Sequence, residues 1–409
     1  MQTRLPESFL DTSAGQEAEA ILRKCVHCGF CNATCPTYQL LGDEADGPRG
    51  RIYQIKEMLE DAPAAQLTQK HLDRCLLCRA CETTCPSGVN YSRLFEIGQL
   101  FQQPSARSVV DRFKRYCIQA VLPYPSRLRL LLGITTTLKL FIPERIRRQL
   151  PVISNTQSWP VSRHRRKVIV HEGCVQSVVE ADVNIATAKV LDAVGISVIR
   201  TSPVRCCGAL HHHLSFAEKA RKLARENIDQ WWPYLEAGAE AIVSNASGCG
   251  VMIKDYLHLL KGDVDYAEKA RIVVQSVCDV SEVLSQETLP LADMSHRRVV
   301  FQSPCSLQHG LQLAGQVEKL LLDYGVNLVT PVNPHLCCGS AGSYSMLQAE
   351  ISNQLLKDKL EALHECQSGL ILTANIGCLL HVRKATDLPV MHWIEFIAGK
   401  LSSVGKFSH

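Results

Sequence analysis

The alternation of apolar and polar positions changes character near residue 165. Before it, the spacing is that of helices. In GPRGRIYQIKEMLED, Gly47 to Asp61, the residues Ile52, Ile55 and Leu59 fall on one helical face, and EAEAILRK and LTQKHLDR read as shorter helices. Beyond residue 165, short β-branched runs alternate with helical stretches. KVIVHEGC predicts a strand running to Cys174, ISVIRT another near Thr201, and AIVSNASGC a third leading into Cys249, with a helix from Ala217 to Trp232 between. The order then recurs: RVVFQSPC ends at Cys305, VNLVT follows, and GLILTANIGC ends at Cys378. Strands alternating with helices predict βαβ units and mainly parallel sheets. The fold class is therefore α+β multidomain: a helical first part, then two duplicated α/β units.

Nineteen cysteines in 409 residues are the outlier of an otherwise ordinary globular composition. The opening MQTRLPESFLDTSAGQ has no apolar run and no cleavage site, which predicts a chain without a signal peptide in a reducing cytoplasm. There, dense cysteine points to metal rather than disulfides. The longest apolar run, Leu130 to Leu138, has nine residues. A bilayer-spanning helix needs roughly 20, so no transmembrane helix is expected.

Eight of the cysteines form two runs of one spacing: Cys25, Cys28, Cys31 and Cys35-Pro36, then Cys75, Cys78, Cys81 and Cys85-Pro86. Three thiolates at C-x2-C-x2-C can wrap three corners of an iron cube from one tight loop, and the fourth, before proline, serves the other cube. Zinc is the alternative, but it takes paired C-x2-C units. Two 4Fe–4S clusters are expected, one on Cys25, Cys28, Cys31 and Cys85, the other on Cys35, Cys75, Cys78 and Cys81. The helical lead-ins resemble the helical ferredoxin domain of respiratory dehydrogenase iron–sulfur subunits. His27, inside the first motif, reads as a solvent-facing residue that modulates potential.

The later cysteines repeat as well. Cys174 and Cys305, Cys206 and Cys337, and Cys207 and Cys338 are each 131 apart, and Cys249 and Cys378 are 129 apart. Each lone cysteine follows a predicted strand, where open α/β folds place binding sites. The pattern resembles the cysteine-rich CCG domain, which occurs twice in one chain of the heterodisulfide reductases. That likeness implies an additional metal site on Cys174, Cys206, Cys207, Cys249, Cys305, Cys337, Cys338 and Cys378. The fifth cysteine of the reductase motif is missing from both halves, its place taken by Met252 and His381. This weighs against a self-contained thiol or disulfide reductase. Gly208 and Gly339 read as positions of backbone freedom, and Cys117, Cys278 and Cys366 as ordinary buried cysteines. His211 to His213 read as a solvated loop or partner contact. His171 and His335 lie near the repeated cysteines, but each has a different residue at its repeat equivalent, Gln302 and Val204.

No G-x-G-x-x-G follows a strand and no P-loop is present, so no dinucleotide fingerprint exists. Iron clusters move single electrons and leave hydride abstraction to an organic cofactor. The order of motifs, with DGPRGRI after the first and CPSGVNYSRL at the second, resembles the iron–sulfur subunits of bacterial glycolate oxidases over nearly the whole length. Their relatives include the lactate-utilisation iron–sulfur proteins and the iron–sulfur chains of anaerobic glycerol-3-phosphate dehydrogenases. The resemblance implies a ferredoxin-like domain over 1–104, a basic helical connector over 105–165, and CCG units over 166–290 and 291–409. It also implies FAD-binding partner subunits that oxidise glycolate to glyoxylate, or D-lactate, with electrons passing towards membrane quinone on the cytoplasmic side of the inner membrane.

Charge adds one further expectation. Arg107 to Lys167 holds fourteen Lys or Arg against Asp111 and Glu144, while the whole chain carries only +4. Together with SRLRLLLGITTTLKLFIPERIRRQL this predicts peripheral contact with anionic lipid through 107–167, Arg145, Arg147 and Arg148 included. The block has no zinc-finger framework, so nucleic acid is not the expected partner.

Overall fold

The computed structural model describes residues 1–60, 66–101, 107–137, 151, 153–154 and 158–401. They group into two compact units, Met1–Tyr116 with His335–Lys359, and Cys117–Pro334 with Leu360–His409.

The first unit is helical. Pro48–Leu59 begins at Gly47 with proline in its first turn, where a missing N–H costs nothing. Its Ile52, Ile55 and Leu59 are buried on the predicted face, together with Met58. They pack with Ala18, Ile21 and Leu22 of Ser13–Lys24 and with Leu94, Phe95 and Ile97 of Tyr91–Gln99. Each large apolar side chain in this set contributes about 1.5–3 kcal/mol on burial. Both cysteine loops lean on this core.

The second unit holds two parallel four-stranded sheets. In the first, Arg166–His171 (β1), Ile196–Ile199 (β2), Ile242–Ser244 (β3) and Val277–Asp279 (β4) lie in the order β2-β1-β3-β4. In the second, Arg298–Gln302 (β5), Asn327–Val329 (β6), Ile371–Thr373 (β7) and Val390–His392 (β8) lie as β6-β5-β7-β8. The β-branched runs are buried on both faces, as helix-covered parallel sheets require. Val168 and Val170 face a core shared with Val299, Phe301 and Trp393, whereas Ile169 faces a second core containing Trp231 and Tyr256. In each sheet the chain runs to one neighbour of the first strand and then crosses to the other side. That reversal opens a crevice beyond the carboxyl ends of β1 and β3, and of β5 and β7. Cys174 and Cys249 follow β1 and β3; Cys305 and Cys378 follow β5 and β7.

Residues 335–359 depart from the duplication. By sequence they belong to the second α/β repeat, yet they pack in the first unit. One tie is the Tyr344 hydroxyl, which donates to the carbonyl of Arg74 at 2.9 Å.

Candidate iron–sulfur and metal sites

The two cysteine loops fold alike because the backbone turns left-handed at matching places. His27 and Gly29 in the first loop, and Leu77 and Arg79 fifty residues later, all have positive φ. Glycine adopts this freely, while the other three are strained there. The curl brings backbone N–H groups inward, and Leu77 N donates to Cys75 Sγ at 3.4 Å. The short helices Phe30–Thr34 and Ala80–Thr84 pack on each other, with the hydroxyls of Thr34 and Thr84 3.0 Å apart.

Two cavities result. One, of about 430 Å³ including its mouth, is lined by Cys25, Cys28, Cys31 and Cys85. The other, of about 320 Å³, is lined by Cys35, Cys75, Cys78 and Cys81. Cys81 lies on the wall they share. Both cavities open to solvent at the mouth, so it is the crossed cysteine lining of each, not its volume, that bears on the group it would hold. Among the described residues, no three of these eight sulfurs come within 4.8 Å of one another. Tetrahedral zinc at about 2.3 Å from each sulfur would need them about 4 Å apart. The residues fit a polynuclear cluster better than zinc.

Burial pushes the Cys31 thiol up to about 11, with Cys25 adding to the effect, and pushes Cys81 well above its ordinary value. Neighbouring sulfurs cannot all ionise in such a place without a bound cation to offset the charge. His27 is half-buried rather than solvent-facing, and its Nε2 is shielded without a hydrogen-bond partner.

The first α/β repeat gathers its cysteines at the crevice. Gly208 has φ +97°, a left-handed turn that closes the Cys206–Cys207 loop and starts the helix Ala209–His213. Gly339 repeats this at +84°, and a Cβ there would come within 2.6 Å of the Ser352 carbonyl. Hydrogen bonds from Cys206 and Cys249 hold the Cys207 thiol well below the ordinary range, while Cys206 is raised first by its contact with Cys174 and then by Cys207, and Cys249 is raised by Cys207. Ligand atoms of His171, Cys207 and Cys249 lie within 4.8 Å of one another, and His171 Nε2 is buried without a hydrogen-bond partner. One imidazole and two sulfurs at this spacing suit a single soft cation.

The second cysteine set is divided between the units: Cys305 and Cys378 in one, the buried pair Cys337 and Cys338 in the other. Asn375 Nδ2 donates to Cys378 Sγ at 3.7 Å. Outside the repeats, Cys366 is buried as expected, whereas Cys278 is half-buried and Cys117 is exposed. His211 is buried with its ring edge-on to Tyr124, so the histidine run is not a solvated loop.

Comparison with known proteins agrees with this geometry. Residues 21–89 match the family described as 4Fe-4S dicluster domain, and residues 168–254 and 299–383 match the one described as Cysteine-rich domain. Over 400 residues the chain is 47% identical to the glycolate oxidase iron–sulfur subunit of Escherichia coli K12, covering 97% of this chain and 98% of that one. The chain belongs to the glycolate oxidase iron–sulfur subunit family. It is 29% identical over 419 residues to the probable glycolate oxidase iron–sulfur subunit of Bacillus subtilis 168, with 94% and 92% covered. To the lactate utilization protein A of Oceanobacillus iheyensis it is 26% identical over 240 residues, 56% of this chain and 96% of the other. A crystal structure of a hypothetical protein from Helicobacter pylori shares the fold at TM-score 0.53 and 7% identity, over 96% of this chain and 73% of that one.

Spacing along the chain does not single out His171, although its place at the end of β1, three residues before Cys174, is a usable signal. Nor does it find Arg51, which lines the second cavity at 1% exposure. On a helix that reads as amphipathic, an arginine beside Ile52 looks like surface. Burial follows from its partners: Nε donates to the His71 carbonyl at 2.9 Å, Nη1 to Thr37 Oγ1 at 3.1 Å, and Nη2 lies 3.5 Å from Asp46 Oδ1.

The basic segment is described only in part, and Arg145, Arg147 and Arg148 lie outside the described residues. Within Val109–Val121 the usual arrangement is reversed. Arg115 is buried against Asp73 and Asp111, while Val109, Val110, Phe113 and Tyr116 are exposed. No helix among the described residues is long and apolar enough to cross a membrane.

Proposed function

We propose that this chain is the electron-relay subunit of a flavin-dependent 2-hydroxyacid dehydrogenase complex that oxidises glycolate to glyoxylate and also accepts D-lactate. The observation that carries the reading is the pair of cavities lined by crossed cysteine sets. Cys25, Cys28, Cys31 and Cys85 would hold one 4Fe–4S cluster, and Cys35, Cys75, Cys78 and Cys81 the other. Such clusters supply one-electron transfer. The chain's part is to hold them: the left-handed loops aim the sulfurs inward, and Ile52, Val89 and Tyr91 line the first cavity with carbon. Hydride abstraction falls to FAD on partner subunits, and membrane quinone is the acceptor, with the complex peripheral on the cytoplasmic face of the inner membrane.

Iron and acid-labile sulfide analysis with EPR of the anaerobically reduced chain tests this. About eight irons and two interacting signals are expected, at four irons per cube. Glycolate-dependent reduction of a dye should persist in Cys78→Ser while quinone reduction is lost. If both fall together with a flavin-loaded partner still assembled, the relay assignment is wrong.

The additional site is proposed on His171, Cys207 and Cys249, with Cys174 and Cys206 beside them. His171→Ala should remove one equivalent of metal and leave the iron of the ferredoxin-like half intact. Unchanged metal content would sink it.

A further inference from the structure

We infer that the Cys35–Cys75–Cys78–Cys81 site holds the higher midpoint potential of the two, and that Arg51 and Tyr91 are the positioning residues that raise it. The inference rests on the two-cluster reading above. Potentials of such clusters respond to nearby net charge, to hydrogen bonds reaching the sulfurs and to solvent. All three differ between the cavities.

At the second cavity the Tyr91 hydroxyl donates to Cys75 Sγ at 3.5 Å and Leu77 N donates to the same sulfur at 3.4 Å. Thr37 Oγ1 stands 3.3 Å from Cys35 Sγ. A metal-bound sulfur carries no proton, so the Tyr91 hydroxyl must donate to Cys75, whereas Thr37 already gives its one proton to the Asp46 carbonyl at 2.8 Å. At the first cavity the Cys31 sulfur is reached by its own backbone N–H, and the side chain beside it, Asn32, turns an oxygen towards it. Among the described residues, no side-chain O–H or N–H donates to Cys25, Cys28, Cys31 or Cys85.

Charge points the same way. The Arg51 guanidinium is permanently protonated and 1% exposed. Asp46 opposes it, but Asp46 also bonds Arg74 at 2.6 Å, so the three side chains leave one net positive charge. In a buried site that charge acts through a low dielectric and favours the more negative, reduced state. The cation lining the first cavity is Arg49, about a third exposed and paired with Glu44 at 2.6 Å, while the N-terminal ammonium stands outside that lining and donates to the Cys25 carbonyl at 2.8 Å. Solvent works in the opposite sense, since Cys28 is exposed. It is outweighed, because a hydroxyl donor and a buried cation act directly on the second site.

Redox titration of the holoprotein, followed by EPR, decides the matter. Cys28→Ser leaves the second cavity's thiols intact and should retain the signal with the higher midpoint; Cys78→Ser should retain the lower. Tyr91→Phe preserves the buried ring, and it should lower only the higher midpoint. A fall of at least 59 mV, tenfold in a one-electron equilibrium, is expected. Arg51→Gln should lower the same midpoint further. If Cys28→Ser retains the lower midpoint, or Tyr91→Phe moves the other signal or neither, the inference is overturned. Should Tyr91→Phe fail to take up iron, the two serine variants still decide. Iron short of two clusters in the unaltered chain would instead count against the function proposed above.

Discussion

The hydroxyls of Thr34 and Thr84 meet at 3.0 Å, each one residue before the fourth cysteine of its run. They join the two halves of an internal duplication at equivalent points. Thr84 also lies 3.0 Å from the Ala80 carbonyl, so it donates there and accepts from Thr34. Thr84→Val leaves the Thr34 hydroxyl without this acceptor, and a cost of about 1 kcal/mol is expected. Thermal unfolding of the iron-loaded chain checks it, and iron should leave both sites at a lower temperature together.

The crossing of ligands makes a pairing prediction. Cys35→Ser should give the EPR phenotype of Cys78→Ser, although the two residues belong to different runs. Cys85→Ser should likewise match Cys28→Ser. If Cys35→Ser instead resembles Cys28→Ser, each run serves its own cluster and the cavities have been paired wrongly.

Asp279 predicts a pH dependence. Burial raises its carboxyl to about 6, although Ser281 N and Oγ both donate to it, at 2.9 and 2.7 Å. The fold therefore prefers the neutral acid, while the unfolded chain ionises near pH 4. Stability from this group is present at low pH and is lost as pH rises from about 4 to about 6, by up to about 3 kcal/mol. Asp279→Asn keeps a cap acceptor and should flatten that slope. Amide exchange in the helix Val280–Leu284, followed between pH 4 and 7, would reveal it.

The reversed helix predicts lipid contact. Phe113 is 66% exposed, with Arg112 and Lys114 exposed beside it. Phe113→Glu should abolish co-sedimentation with vesicles rich in anionic lipid and leave iron content unchanged. Binding that survives this change but fails in high salt would assign the contact to charge alone.

Much of this was legible in the sequence because cysteine spacing is a local property. The two runs, the 131-residue repeat and the strand ends all follow from intervals along the chain. What escaped depends on contacts between distant segments. Arg51 is buried because Asp46, Thr37 and the His71 carbonyl converge on it from three places. His171 joins Cys207 and Cys249 because β1 and β3 are adjacent strands, which no spacing along the chain records. His27 looks exposed in a short loop until its left-handed φ turns the ring edge-on to Tyr53.

The packing of residues 335–359 with the first unit bears on how the protein is made. The ribosome completes both cysteine runs by residue 85, but Tyr344, which closes on the Arg74 carbonyl beside Cys75, emerges some 260 residues later. At about 5–20 residues per second, that interval lasts from about ten seconds to a minute. During it the second cysteine run exists without the Tyr344 contact beside Cys75, so iron delivered in that interval meets a loop that is not yet braced. A chain stalled before residue 344 should accept and lose iron more readily than the finished one.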